Sequence, residues 1–210
     1  MRAQLGLLLV LVATTLAGPA PLSEGQDVLA PFVATPGQVV QQMLTVGDVR
    51  PGDVVYDLGC GDARIVIAAV RIPGVRGVCV EIDPQLIREG RHNAEAAGVA
   101  ERIRFVQGDF FRVPLDEATL VTLYLLPEVN LRLRPRLLGE LRPGTRIVSH
   151  SFDMGDWAPQ ERVVVDLPQQ QHVIYRWLVP PRPPAARLPA AAPCPGAGSI
   201  RCGTTSRSSR

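Results

Sequence analysis

The chain contains no lysine: all 22 of its basic residues are arginine. Alanine, proline and glycine are plentiful, so the bias fits a GC-rich coding sequence. Acidic residues are missing from both ends, since all 20 lie between Glu24 and Asp166. Residues 22–180 hold 16 arginines against those 20 acids, a net charge of −4. The last 30 residues hold five arginines and no acid, so the overall +2 describes neither part. An acidic folded segment argues against a nucleic-acid binder working through a basic face. No spacing among the four cysteines suggests zinc, and no internal repeat is present. With 210 residues, 46% hydrophobic and 20% charged, the chain suffices for one well-buried domain but hardly two.

The ends differ from the middle. Arg2 precedes a 13-residue apolar run, Leu5 to Ala17, followed by the small residues Ala17, Gly18 and Ala20. That is too short to span a bilayer comfortably, and it reads as a signal peptide or membrane anchor over residues 1–20. Arg2 before the run, with Glu24 and Asp27 after it, favours a domain that is exported or membrane-associated. Residues 181–210 read as a disordered Pro/Arg-rich tail, because such composition buries too little apolar surface to offset its ordering entropy. Cys194 and Cys202 lie in this tail, where an oxidising compartment would allow a disulfide. Cys60 and Cys79 read as small buried core residues.

Between the ends, residues 21–180, short β-rich runs alternate with helical ones. Thr35-Pro36 predicts an N-cap followed by proline at the first helical position. Strands are expected at 54–58, 78–80, 103–106, 120–125 and 146–149, with a closing pair at 162–167 and 173–179. Helices are expected at 65–70, after the Asp83-Pro84 cap, and from Pro135. The repeated β-α-β order predicts one α/β domain with a doubly wound, mostly parallel sheet.

Such sheets bind ligands beyond the carboxyl ends of their strands, where strand order reverses. The first strand runs into Asp57-Leu58-Gly59-Cys60-Gly61-Asp62-Ala63-Arg64, whose glycines allow a tight turn and close ligand approach. Glu81 ends the second strand, where a carboxylate can hold both hydroxyls of a ribose. Asp109 follows the third, placed to accept from an exocyclic amine, with Phe110 beside it to cover an adenine ring. Three successive strand ends thus carry an acid, which suits an adenosine ligand without phosphate. A nicotinamide-binding G-x-G-x-x-G site fits less well, because position 64 is arginine and Asp57 would sit near a pyrophosphate.

The runs DLGCGDAR, EIDP and QGDFF resemble the cofactor site of class I methyltransferases that use S-adenosylmethionine. The resemblance implies a Rossmann-like, doubly wound, seven-stranded α/β sheet. It implies that Asp57 and the loop Gly59, Cys60, Gly61 and Asp62 hold the methionine portion. Glu81 then holds the ribose, and Asp109 with Phe110 the adenine. Ala63 departs from the pattern, because many members carry a third glycine there; the extra methyl predicts a tighter loop.

The stretches PFVATPGQVVQQML and LYLLPEVNLRLRPRLLGELRPGTRIVSHSFDMGDW resemble small protein-lysine methyltransferases of the ATP synthase c subunit and ADP/ATP carrier family. Methyl transfer to an amine, most simply a protein lysine, is what this resemblance implies. The strand-four end Tyr124-Leu125-Leu126-Pro127 lacks the Asn or Asp of nucleobase-amine methyltransferases, so no nucleic-acid partner is expected. Tyr124, Leu126 and Pro127 are candidate walls of an apolar acceptor pocket, which would favour the neutral amine. His150 is the candidate proton acceptor. His92, on a solvated helix, and His172, expected in a hairpin turn, receive no role, and Trp157 is expected to pack. A chain without lysine also offers no side-chain amine of its own. Two other readings stay open: a small-molecule methyltransferase, and an exported adenosine-binding domain without catalysis. The second is motivated by a leader that points outward from the cytosol where the cofactor is made.

Overall fold

The computed structural model describes residues 32–182. The leader and almost all of the Pro/Arg-rich tail, with Cys194 and Cys202, lie outside the described residues. Five apolar runs form parallel strands: β1 (Val54–Leu58), β2 (Arg76–Glu81), β3 (Ile103–Gln107), β4 (Leu120–Leu123) and β5 (Arg146–His150). A strand covered on both faces needs continuous apolar sequence rather than alternation, and every residue of β1, β4 and β5 is buried. The last two strands, β6 (Glu161–Asp166) and β7 (Gln171–Leu178), form an antiparallel hairpin. Along β6 half-buried residues alternate with exposed ones, as one covered face requires.

The seven-stranded order is β3-β2-β1-β4-β5-β7-β6, with β7 antiparallel to β5. This is the expected mostly parallel, doubly wound sheet. Helices α1 (Gly37–Val46), α2 (Arg64–Val70) and α3 (Pro84–Ala96) serve one apolar layer, where Val39, Met43, Val66 and Ala94 meet Val55, Cys79 and Leu120. The other layer lies under α4 (Pro127–Glu140), where Val129, Leu133 and Leu137 meet Tyr56, Leu123, Ile147 and Trp177. Trp157 packs on this second layer, as expected, and its carbonyl accepts from Trp177 Nε1 at 2.7 Å.

Four local expectations are corrected. Thr35 does not cap α1: Pro36 holds the cap position without a side-chain bond, because the Thr35 hydroxyl is engaged by His150. The helix expected to begin at Pro135 begins at Pro127, with Pro135 inside it. Proline at the first position costs no hydrogen bond, and the interior proline frees the carbonyl of Leu131, an exposed residue. His172 lies not in a turn but in β7, where it is buried. Cys60 and Cys79 are buried, but as a disulfide with Cα atoms 5.4 Å apart. Parallel pairing sets Cys79 beside Asp57, and the loop after β1 turns Cys60 back onto that position.

Candidate active site

Strand order reverses at β1, which has β2 on one side and β4 on the other. A cavity opens at the carboxyl ends of these three strands. Its rear wall is the loop after β1. Gly59, Gly61 and Ala63 all adopt the left-handed backbone region, with φ of +74°, +54° and +67°. The amides of Gly59 and Cys60 both donate to the Val80 carbonyl, at 2.8 and 3.1 Å. The Cys60–Cys79 bond ties the same loop to β2. A Cβ at Gly61 would stand 2.3 Å from the Phe32 ring, so glycine is needed there for the approach of that ring as well as for its φ.

Two carboxylates are fixed differently in this frame. Glu81 accepts from the amide of Gly61 at 3.0 Å through one oxygen, and from Ile82 and Asp83 at 2.8 and 3.0 Å through the other. It therefore links the glycine loop to the start of α3. Asp57 is buried at the centre, and Thr122 donates to its Oδ1 at 2.8 Å. Its Oδ2 has no hydrogen-bond partner among the described residues. Burial pushes the Asp57 carboxyl up to about 7, opposed by the Thr122 bond and the nearby Val66 amide and reinforced by the charges of Glu81 and Asp62. Asp57 thus carries an unfilled hydrogen-bond acceptor where it lines the cavity.

The remaining expected cofactor residues fall in the same place. Asp62 and Asp109 line the cavity with Phe110. Asp62 accepts from Arg64 Nε at 2.9 Å, and Asp109 accepts from the Phe111 amide at 2.8 Å. Gly59 and Cys60 also line the cavity, while Gly61 lies behind Phe32. Asp83, read as a helix cap, caps α3 by accepting from Gln85 N at 2.7 Å.

The candidate acceptor residues separate. Tyr124 lines the cavity with Leu125. Leu126 and Pro127 are exposed at the start of α4 and do not belong to its lining. His150 is fully buried, one layer behind the cavity wall. Its ring centroid is 3.9 Å from that of Tyr124, and its Nδ1 is 3.3 Å from Thr35 Oγ1. Burial first, and then the neighbouring His172, push the His150 pKa down to about 4, so the ring is neutral at physiological pH. His92 is exposed, as expected. The sequence reading missed Phe32, Val33, Thr35 and Arg64 in the lining, and Thr122 behind Asp57. Thr35, Thr122 and Phe32 meet partners distant in sequence, whereas Arg64 lies within the glycine-loop motif and pairs with Asp62 beside it.

Residues 57–161 match the family model described as the ANTKMT methyltransferase domain. The chain is 45% identical over 150 residues to a protein-lysine N-methyltransferase of Saccharolobus islandicus, covering 71% of this chain and 93% of that one. It is 33% identical over 129 residues to the adenine nucleotide translocase lysine N-methyltransferase of Mus musculus, covering 61% of this chain and 56% of that one. A solved structure named as an RNA methyltransferase from Salinibacter ruber, in complex with S-adenosyl-L-homocysteine, is 54% identical with a TM-score of 0.67. That alignment covers 73% of this chain and 97% of the Salinibacter chain. The family model spans half of the chain and the Saccharolobus enzyme aligns over nearly its whole length, so the chain belongs to the ANTKMT methyltransferase family, an enzyme with S-adenosylmethionine as its methyl donor.

Proposed function

We propose that this enzyme methylates the ε-amine of lysine in a protein substrate. The alignment with the Saccharolobus protein-lysine N-methyltransferase, over 93% of that protein, carries the reading. When bound, S-adenosylmethionine supplies an electrophilic methyl group on a sulfonium. The residues present fit that group: Asp57 Oδ2 is an unpartnered acceptor for a cationic amine, and Glu81 lies at the next strand end for the ribose hydroxyls. Asp109 and Phe110 are placed for the adenine.

The chain contributes alignment, exclusion of water and control of charge. Tyr124, Leu125, Phe32 and Val33 give the cavity an apolar wall. A lysine ammonium, with a reference pKa of about 10.4, must lose its proton before it can attack, and an apolar wall favours the neutral amine. Tyr124 and the neutral His150 behind it are the residues we assign to the acceptor side.

A small-molecule acceptor and an RNA acceptor are outcomes to be distinguished, the latter because of the name of the Salinibacter relative. Wild-type and Asp57→Ala protein are incubated with methyl-labelled cofactor and a membrane extract. Label on a protein band that disappears in the variant supports the reading. Label in RNA or only in small solutes overturns the lysine assignment.

The Cys60–Cys79 bond also supports placing the domain in an oxidising compartment, exported or held at a membrane. Among the described residues no helix is long and apolar enough to cross a membrane. Sequencing the mature N-terminus from fractionated cells tests this placement: recovery in the cytosolic fraction with free thiols contradicts it.

A further inference from the structure

Two histidines stand behind the acceptor side of the cavity. The sequence gives neither a motif, yet they form one chain of hydrogen bonds with a cavity residue. Thr35, on the cavity wall and buried, places Oγ1 3.3 Å from His150 Nδ1. His150 Nε2 lies 2.9 Å from His172 Nδ1. The Tyr124 ring covers His150 from the cavity side, with ring centroids 3.9 Å apart. His150 is completely buried and His172 is 6% exposed.

Neutrality couples the two bonds of His150 without choosing between their two directions. A neutral imidazole carries one N–H and one lone pair, so a bond at one nitrogen fixes the role of the other. If His150 donates through Nε2 to His172 Nδ1, its Nδ1 must accept. The Thr35 hydroxyl then donates to His150, and its remaining oxygen lone pair is available to the cavity. If His172 were absent, His150 could place its proton on Nδ1 and donate to Thr35, turning the hydroxyl proton toward the cavity instead. An incoming primary amine needs an acceptor for its N–H groups, so that its own lone pair points at the methyl donor. A hydroxyl proton facing the cavity would instead compete for that lone pair.

We propose that His172 is a positioning residue for methyl transfer: it fixes the tautomer of His150, so that Thr35 presents an oxygen lone pair to the N–H of the acceptor amine. The proposal rests on the amine-methylation reading above. It involves no proton transfer within the chain and makes Thr35 the residue that selects for an amine acceptor over one lacking N–H. Other charged or titratable groups around this chain are few. Tyr124 approaches from the end of β4. Arg64 of α2 donates to the Thr35 carbonyl at 2.9 Å and is paired with Asp62. From β6, Val165 is the register partner of His172, and its neighbour Asp166 points to solvent and binds Gln171.

The test compares His172→Phe, His172→Asn, Thr35→Val and the Thr35→Val/His172→Phe double variant in the full-length protein. The acceptor is the lysine-containing substrate identified by labelling, and binding of S-adenosylhomocysteine is measured alongside as a check of the folded site. His172→Phe should lower kcat/KM about tenfold, the effect of one misdirected hydrogen bond, with product affinity retained. Asn keeps an oxygen near the position of Nδ1 and should restore most of the loss. The double variant should be no worse than Thr35→Val alone, because both changes act through one hydroxyl. A His172→Phe enzyme with wild-type rates overturns the proposal. So does an additive double variant, or an Asn variant as poor as Phe. Wild-type protein that binds the cofactor product but methylates no lysine overturns the function reading itself.

Discussion

Thr122 donates to Oδ1 of Asp57 at 2.8 Å and leaves Oδ2 buried without a partner. The first contact fixes the carboxylate at the end of β1; the second fact is a stability cost that a bound cation would offset. Burial raises the Asp57 pKa in the folded protein from 3.8 to about 7. The folded state therefore binds more protons than the unfolded state between these values, and the cofactor-free protein loses stability as pH rises from about 4 to 7. Asp57→Asn should stabilise the cofactor-free protein at pH 8 by on the order of 3 kcal/mol. Denaturant melts at two pH values check the sign.

The same residue should behave oppositely toward the ligand. A cationic amine binds the ionised carboxylate, so affinity for S-adenosylhomocysteine should rise with pH up to about 7 and then level off. Below that value it should fall by up to about tenfold per pH unit. Calorimetric titration of Asp57→Asn should show weaker binding without this pH dependence.

Ala63 and Gly90 share one space. Ala63 is buried in the left-handed region, and a Cβ added at Gly90 would lie 3.0 Å from its methyl and 3.2 Å from the Phe105 ring. Gly90→Ala should gain about 1 kcal/mol of helix propensity but lose about 1–3 kcal/mol to overpacking, so it should destabilise. With Ala63→Gly in place the methyl contact disappears while the Phe105 contact stays, so the same substitution should cost less. Thermal denaturation of the four proteins measures the difference.

Asp53 and Arg146 form a buried ion pair, and Thr119 and the Arg50 amide also donate to Asp53 at 2.7 and 2.9 Å. Burial pushes the Asp53 pKa up, but these bonds and the arginine charge outweigh it and hold the carboxyl below 3.8. This stabilisation is present above pH 3.8 and is lost as pH falls through the lower folded value. Asp53→Ala leaves Arg146 buried without its counter-charge and should cost about 3–5 kcal/mol at neutral pH. Arg146→Met in the same chain should recover much of that loss, as read from urea denaturation.

The Cys60–Cys79 bond closes a loop of 19 residues' separation around the first β-α-β turn. Reduction should lower stability by about 3 kcal/mol through the freed unfolded chain. It should also weaken binding of S-adenosylhomocysteine, because Cys60 belongs to the glycine loop on the cavity wall. Cys79→Ala should show the lower values with or without dithiothreitol.

The cofactor half of the site was legible because it is local. Asp57, Gly59, Glu81 and Asp109 each follow from where a strand ends, and β1, β2 and β3 lie side by side in chain order. The long-range contacts behind the cavity wall were not. Thr35 meets His150 across 115 residues, and Thr122 meets Asp57 across 65, so no window of sequence carries either pair. Thr35 was misread because Thr-Pro before a helix has a sufficient local explanation as a cap, which tertiary contact overrides. His172 was misread because β7 begins two residues earlier than its first strong apolar residue, Val173. Pro135 was misread because the packing of Leu133 and Leu137 outweighs the cost of a proline between them.

The central claim is transfer of a methyl group to a lysine amine. Tandem mass spectrometry of the labelled protein substrate, after reaction with wild-type and Asp57→Ala enzyme, tests it most directly. The account predicts methyl groups on lysine side chains, present with the wild type and lost with the variant. Methyl groups on another side chain, on RNA or on a small solute would contradict it.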